Sequence, residues 1–205
     1  MRIGDLHPLG DGGALMRYAA GHAAATRERL VDLAAALLRR EGAAALGVQS
    51  LARAAGVTHG GFYRHFASRE ALLAAAIDRA FALASTGVPP DDDPRRALRG
   101  FIRAYLSPAH AGAPESGCPL PTLAGEAQRL EGAAGERYRA GAARLCGRLA
   151  AMMAAAGVAD PEATARSVLA ELVGAVTLAR VVPDEAERDA VLGASRSALL
   201  DRLGF

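Results

Sequence analysis

Seven polar side chains fall within twelve residues of this chain, and besides Ser68 they are Thr58, His59, Tyr63, Arg64, His65 and Arg69. Hydrogen-bond donors dominate the set, which suits an acceptor-rich polyanion. Arg64 is the side chain best built to reach a guanine edge or a phosphate. Tyr63 and His65 can each turn a polar tip toward a phosphate, although His65 can also be an interior histidine bonded to protein. Arg69 adds a cation for a nearby phosphate; a solvated arginine is the alternative. Gly60 and Gly61 each cost a helix roughly 1 kcal/mol relative to Ala. Close approach of a phosphate or base edge, where a Cβ would collide, explains them better than relief of packing against the first helix.

These residues need a rigid mount, and the flanking sequence supplies one. Gly56 suits the left-handed conformation that ends a helix, Val57 follows as a turn residue, and Thr58 can cap a new N-terminus. Free N–H groups and the helix dipole at Thr58 and His59 favour a phosphate oxygen. Leu51, Ala52, Ala55, Val57, Phe62 and Phe66 have the spacing of a small helical core. The layout is a helix-turn-helix, whose second helix enters the major groove of DNA. A first helix is expected from a Thr26 cap to Gly42, with Leu30, Val31, Ala34, Leu37 and Leu38 at helical spacing. Further helices are expected over 48–55, 59–65 and, from the Ser68 cap, 69–85.

The stretch Ala55-Gly-Val-Thr-His-Gly-Gly-Phe-Tyr-Arg-His-Phe-Ala-Ser-Arg-Glu-Ala-Leu72 resembles the signature of the TetR/AcrR family of one-component transcription regulators. The resemblance covers roughly residues 16–81. It implies phosphate contacts from Thr58, Tyr63, His65 and Arg69, and base reading by His59, Gly61 and Arg64. Many members place Ser or Thr at the cap of the second helix; here the position is Gly47, so Gln49 or Ser50 would have to supply that contact. The segment from Met16 resembles the family's N-terminal arm, which supports Met16 as the natural start. Arg27, with Arg17 and Arg29, could reach phosphates or a minor groove from this arm, or lie solvated. The implied partner is double-stranded operator DNA.

Composition bounds the rest. Of 205 residues, 51% are hydrophobic and 22% charged, as in ordinary globular proteins. No apolar run of about 20 residues spans a membrane, and no apolar leader opens the chain. Two cysteines make no disulfide framework, so a cytoplasmic protein with free thiols is expected. Every one of the 24 basic residues is Arg, for which a GC-rich genome is an economical cause. Residues 1–81 carry 10 Arg against 7 acids, whereas the remainder carries 14 against 15. The excess lies where a polyanion would bind. The five histidines show no metal-binding spacing, and no cofactor or metal is expected.

Residues 1–15 lack periodicity and are expected to be a disordered or misannotated extension, with the DNA-binding domain at 16–85 and a larger helical domain at 86–205. The breaker cluster Gly87–Pro94 is the joint. Helices are expected over 94–106, 118–130, 132–156, 160–181 and 184–203, with a break at 107–117. With no alternating β pattern, the fold is all-α.

The resemblance implies that the second domain receives a ligand and dimerises. Residues 161–181 are apolar on more than one stripe (Ala163, Val168, Leu169, Leu172, Val173, Val176, Leu178), and Val191, Leu192, Leu199, Leu200 and Leu203 give the last helix a matching stripe. A homodimer through these two helices is favoured over burial within the monomer. Phe101, Tyr105, Cys118, Leu123, Tyr138 and Met152 are candidates to line an apolar effector pocket; simple core is the alternative. A helix N-terminus at Cys118 would lower its thiol pKa. That makes a redox or electrophile sensor one reading and a small buried cap residue the favoured one. The function expected is a ligand-responsive homodimeric repressor, its effector apolar or electrophilic. An enzyme pairing Cys118 with His110, and a DNA-binding protein without a ligand, are the alternatives.

Overall fold

The computed structural model describes residues 12–84 and 91–205, with side chains from Gly21 onward. The described residues are helical, with no strand among them. The first helix, α1 (Gly12–Glu41), begins well before the expected cap. Thr26 lies buried in its interior, and its hydroxyl donates to the His22 carbonyl at 2.9 Å, a back-bond that satisfies Thr inside a helix. Residues 12–15, expected to be disordered, thus belong to α1; residues 1–11 fall outside the described part.

α1 ends where expected. Gly42 adopts φ 88° and its N–H closes on the Leu38 carbonyl. A 3-10 turn at Ala43–Ala45 leads into α2 (Val48–Ala54), and α3 (His59–Phe62) follows. Gly56 takes φ 74°, and the Val57 N–H bonds the Ala52 carbonyl at 2.9 Å, the paired C-cap that glycine permits. Thr58 then caps α3, accepting from the Gly61 N–H. α3 is shorter than the expected 59–65, because Arg64 and His65 close tight i→i−3 bonds to Gly61 and Phe62. The Ser68 hydroxyl caps α4 (Arg69–Leu83) by accepting from Ala71 N–H.

Helix α4 belongs to both lobes. Arg79 pairs with Glu28 and Asp32 on α1, while its neighbour Asp78 pairs at 3.0 Å with Arg137 on α8 (Gly132–Ala155). Phe81 of α4 meets α8 at Gly141, where an added Cβ would stand 2.3 Å from the ring.

Between them come α5 (Pro94–Tyr105), α6 (Pro108–Gly112) and α7 (Leu120–Leu123). The expected break at 107–117 therefore contains a short helix. It is capped by the Ser107 hydroxyl, with Pro108 in its first turn. The expected helix over 118–130 is only α7 plus a 3-10 turn at Ala127–Arg129. Gly125 is a poor helix former there, and the Glu126 carboxylate is drawn to the Ala43 N–H at 2.7 Å.

The last two helices are α9 (Pro161–Val181) and α10 (Glu185–Arg202). Val168, Leu172 and Val176 are buried within the monomer, as are Leu192, Leu199, Leu200 and Leu203. Most of the apolar stripe assigned from sequence to an interface is therefore this lobe's own core. What α9 leaves uncovered is narrower: Leu178 is 60% and Val181 73% exposed, beside half-buried Leu169 and Val173. No helix among the described residues is long and apolar enough to cross a membrane.

Gly141→Ala should lower unfolding stability by about 1–3 kcal/mol, the usual range for overpacking a tight contact. A urea midpoint equal to wild type would show that the Phe81 ring has room to yield.

Candidate nucleic-acid interface and ligand cavity

Leu51, Ala52, Ala55, Phe62 and Phe66 are buried and Val57 is half-buried, so α2 and α3 stand on the apolar base read from sequence. The outer side of that base is polar. Gln49, Ser50, Arg53, Thr58, His59, Gly60 and Arg64 are exposed on it. Tyr63 is 50% exposed; its ring is steadied by edge contacts to Phe62 at 5.2 Å and His59 at 5.4 Å. A large aromatic side chain held outward by its neighbours on a polar face is suited to contact a partner. The exposed Arg53 was not singled out in the sequence, although its position in the last turn of α2 places it on the same face.

The paired glycines differ. A Cβ on Gly60 would meet nothing within 4 Å, so only an approaching body could require its absence. A Cβ on Gly61 would lie 3.1 Å from Thr58 Oγ1, so the cap itself crowds that position. Ser50 donates to the Gly47 carbonyl at 2.9 Å, and Gly47 supplies no side-chain cap, as its lack of a hydroxyl dictates. His65 is half-buried.

Three arginines expected to face DNA also serve the protein. Arg69 Nε donates to the Leu46 carbonyl at 2.7 Å, and its Nη2 to the Ala43 carbonyl at 2.6 Å. This is not the solvated arginine offered as the alternative; the side chain ties the turn before α2 to the start of α4. The Arg27 guanidinium lies 4.6 Å over the Phe66 ring, and Arg29 donates to the Ala55 carbonyl at the end of α2.

The second lobe holds a cavity of about 600 Å³ between α5 and α8, within the usual size for small-molecule sites. Phe101, Tyr105, Cys118 and Met152 line it as expected, joined by Leu145, Arg148 and Leu149 of α8. Leu123 and Tyr138 do not. Leu123 is fully buried in the core, and Tyr138 packs edge-on against Phe81 at 5.9 Å.

His110 is the cavity residue whose role the sequence did not reveal. Its Nδ1 lies 2.6 Å from the Tyr105 carbonyl, and its Nε2 accepts the Cys118 backbone N–H at 3.0 Å. A carbonyl can only accept and an amide N–H can only donate, so the ring is neutral with its proton on Nδ1. Gly117 makes this possible: a Cβ there would stand 2.8 Å from the imidazole. Burial pushes the His110 pKa below its ordinary 6.5, and the Arg180 charge adds to the effect against the opposing Tyr105 hydrogen bond. With both nitrogens occupied by backbone, His110 is not set to take a proton from the Cys118 thiol. The thiol pKa is itself raised, because burial outweighs the hydrogen bonds and cations that would lower it. The lowering expected from a helix N-terminus is thus overturned. Cys146 is half-buried against the core. Among the described residues, no three His, Cys, Asp or Glu side chains are grouped to hold a metal ion.

From the cavity wall a chain of hydrogen bonds runs to the DNA-binding lobe. Arg180 of α9 donates to the carbonyls of His110 and Ala111, and its Nη1 donates to Thr122 Oγ1 at 3.2 Å. Thr122 in turn donates to the Arg39 carbonyl near the end of α1 at 2.6 Å.

Residues 30–76 match the family model described as bacterial regulatory proteins, tetR family. A structure of a TetR-family transcriptional regulator from Agrobacterium tumefaciens is similar over 88% of this chain and 98% of its own, with TM-score 0.75 and 22% identity. A TetR transcriptional regulator from Chloroflexus aurantiacus matches over 89% of this chain and 96% of its own, at TM-score 0.75 and 26% identity. A third, a putative tetr-transcriptional regulator from Streptomyces avermitilis, matches over 88% and 98%, at TM-score 0.69 and 29% identity. No curated protein matches the chain.

Two outcomes test this geometry. Arg69→Ala should lower stability by about 1–3 kcal/mol without any DNA present, since two backbone carbonyls lose their donors; unchanged urea unfolding would return Arg69 to a surface role. Because the folded His110 pKa lies below its unfolded value, the protein should lose stability as pH falls from about 6.5 through the folded value. Urea midpoints at pH 5 and pH 7.5 should converge in His110→Gln relative to wild type. Residues 30–76 thus carry a domain that matches the tetR-family model of bacterial regulatory proteins, on a fold shared along nearly the whole chain with TetR-family transcriptional regulators.

Proposed function

We propose that the protein is a homodimeric repressor that leaves its operator when a small molecule fills the cavity between α5 and α8. The observation that carries this reading is the pairing, in one chain, of an outward polar face on α2 and α3 with an apolar-walled cavity of about 600 Å³ in the other lobe. Tyr63, His65 and Arg27 serve phosphates, with Thr58 helping where its capping bond allows, whereas His59, Gly61 and Arg64 read base edges. Gln49 and Ser50 supply the contact that Gly47 cannot. Gly60 leaves the backbone bare where the groove wall comes closest. Arg69 acts chiefly by holding the turn before α2, and adds its charge to the same face.

Dimerisation uses α9 and α10. Leu178 and Val181 are the large apolar residues α9 leaves in solvent, and α10 offers small exposed side chains (Ala190, Ala194, Ala198) that allow close helix approach. A two-fold dimer presents two α3 helices for half-sites about 34–36 Å apart. A ligand that favours a different spacing of those helices releases the DNA, provided it binds that form several kcal/mol better.

Selection of binding sequences by the purified protein should yield a palindrome. Tyr63→Phe should weaken binding to that palindrome and to random DNA alike, whereas Arg64→Ala and His59→Ala should relax base preference by about 1–3 kcal/mol at defined positions. Equal losses on selected and random DNA for all three would sink the division of roles. Leu178→Glu with Val181→Glu should give a monomer by sedimentation and abolish operator binding.

A further inference from the structure

The cavity has a chemical polarity of its own, and the inference drawn from it rests on the ligand-responsive reading above. Its walls are mainly apolar, formed by Phe101, Leu145, Leu149 and Met152 among others. At the Tyr105–Cys118 end, hydrogen-bond acceptors are already taken. The Tyr105 carbonyl accepts from His110, and His110 Nε2 accepts from Cys118 N–H. One donor is left over: the Tyr105 hydroxyl is buried and makes no hydrogen bond of normal geometry. Its neighbour, the Cys118 thiol, is a weak partner. A buried hydroxyl with only a thiol beside it is under-satisfied, so a molecule that offers it an oxygen acceptor gains affinity from that alone.

Charge is disfavoured at this end. His110 is neutral, and burial raises the pKa of both Tyr105 and Cys118, the mark of surroundings that resist an anion. Three of the five Arg180 N–H groups are taken by two carbonyls and the Thr122 hydroxyl, and this side chain does not line the cavity. Arg148 already has an interaction of its own, and Asp91 at the cavity edge is paired with Arg96 at 3.0 Å. We infer that the cavity takes an uncharged, largely apolar molecule carrying a carbonyl oxygen, as in a ketone, aldehyde or ester, and that this oxygen accepts a hydrogen bond from Tyr105. The match is by shape and one hydrogen bond; no bond to the Cys118 sulfur is formed.

Calorimetric titration of the full-length protein with four probes of equal chain length tests this: 2-undecanone, undecane, undecanoate and undecylamine. The ketone should bind at least tenfold tighter than the acid or the amine. Tyr105→Phe, which keeps the ring, should weaken the ketone about fivefold, the loss of roughly one neutral hydrogen bond. It should leave undecane unchanged. Tyr138→Phe removes a phenol outside the cavity and should leave ketone affinity at the wild-type value. The inference is overturned if undecanoate or undecylamine matches the ketone, if Tyr105→Phe binds the ketone undiminished, or if none of the four binds. Operator footprinting on the same preparations separates this from failure of the regulator reading: a protected palindrome with the wrong ligand preference removes only the cavity chemistry.

Discussion

The peptide that follows α1 is gripped from both lobes, and the geometry of the DNA-binding face depends on that grip. The Glu126 carboxylate accepts the Ala43 N–H, while Arg69 donates to the carbonyls of Ala43 and Leu46. One turn earlier Thr122 donates to the Arg39 carbonyl. The terminal carbonyls of a helix and the turn beyond it lack partners within the helix itself, and here side chains from α4, α7 and the turn after it provide them. Gly42 is required by its positive φ, and an added Cβ there would also push aside the Glu126 carboxylate that holds the Ala43 N–H. α2 starts two residues after the Leu46 carbonyl that this clamp holds, so its direction relative to the second lobe is set by how these bonds hold.

Local rules were readable in the sequence wherever one residue type has a single physical use. Gly42 and Gly56 took left-handed φ, Thr58 and Ser68 capped their helices, and Leu51, Phe62 and Phe66 became core. The rules failed where tertiary partners compete with local preference. Thr26 has a capping side chain, but alanine-rich sequence before it has high helix propensity, and a back-bond to His22 satisfied the hydroxyl inside the helix. The stretch after Cys118 looked helical by composition, but Glu126 found a better partner eighty-three residues away.

The candidate sites divide along the same line. The polar face of α2 and α3 is a local feature, legible because its residues lie on one short segment. The cavity is assembled from the end of α4, from α5, α6 and α8, and from the peptide Ser116–Cys118; the sequence suggested His110 beside Cys118 only as an enzyme's base, and did not show the backbone bond between them. One signal was present: Gly117 directly before Cys118, a glycine whose absent side chain makes room for the imidazole. Apolar stripes were the least informative. The stripe of α10 faces its own lobe, because residues at helical spacing identify a buried face without naming what buries it.

Asp78 and Arg79, adjacent on α4, reach to opposite neighbours: one to Arg137 of α8, the other to Glu28 and Asp32 of α1. All of these carboxylates and cations lie at least partly in solvent, so dissolved ions screen them within a Debye length of about 8 Å at physiological ionic strength. The slope of DNA affinity against salt concentration in this protein therefore combines two quantities. Counterions leave the phosphates, and the same electrolyte loosens the electrostatic stitching that keeps α4 in place between its two neighbours. Counting phosphate contacts from the slope alone would overstate their number.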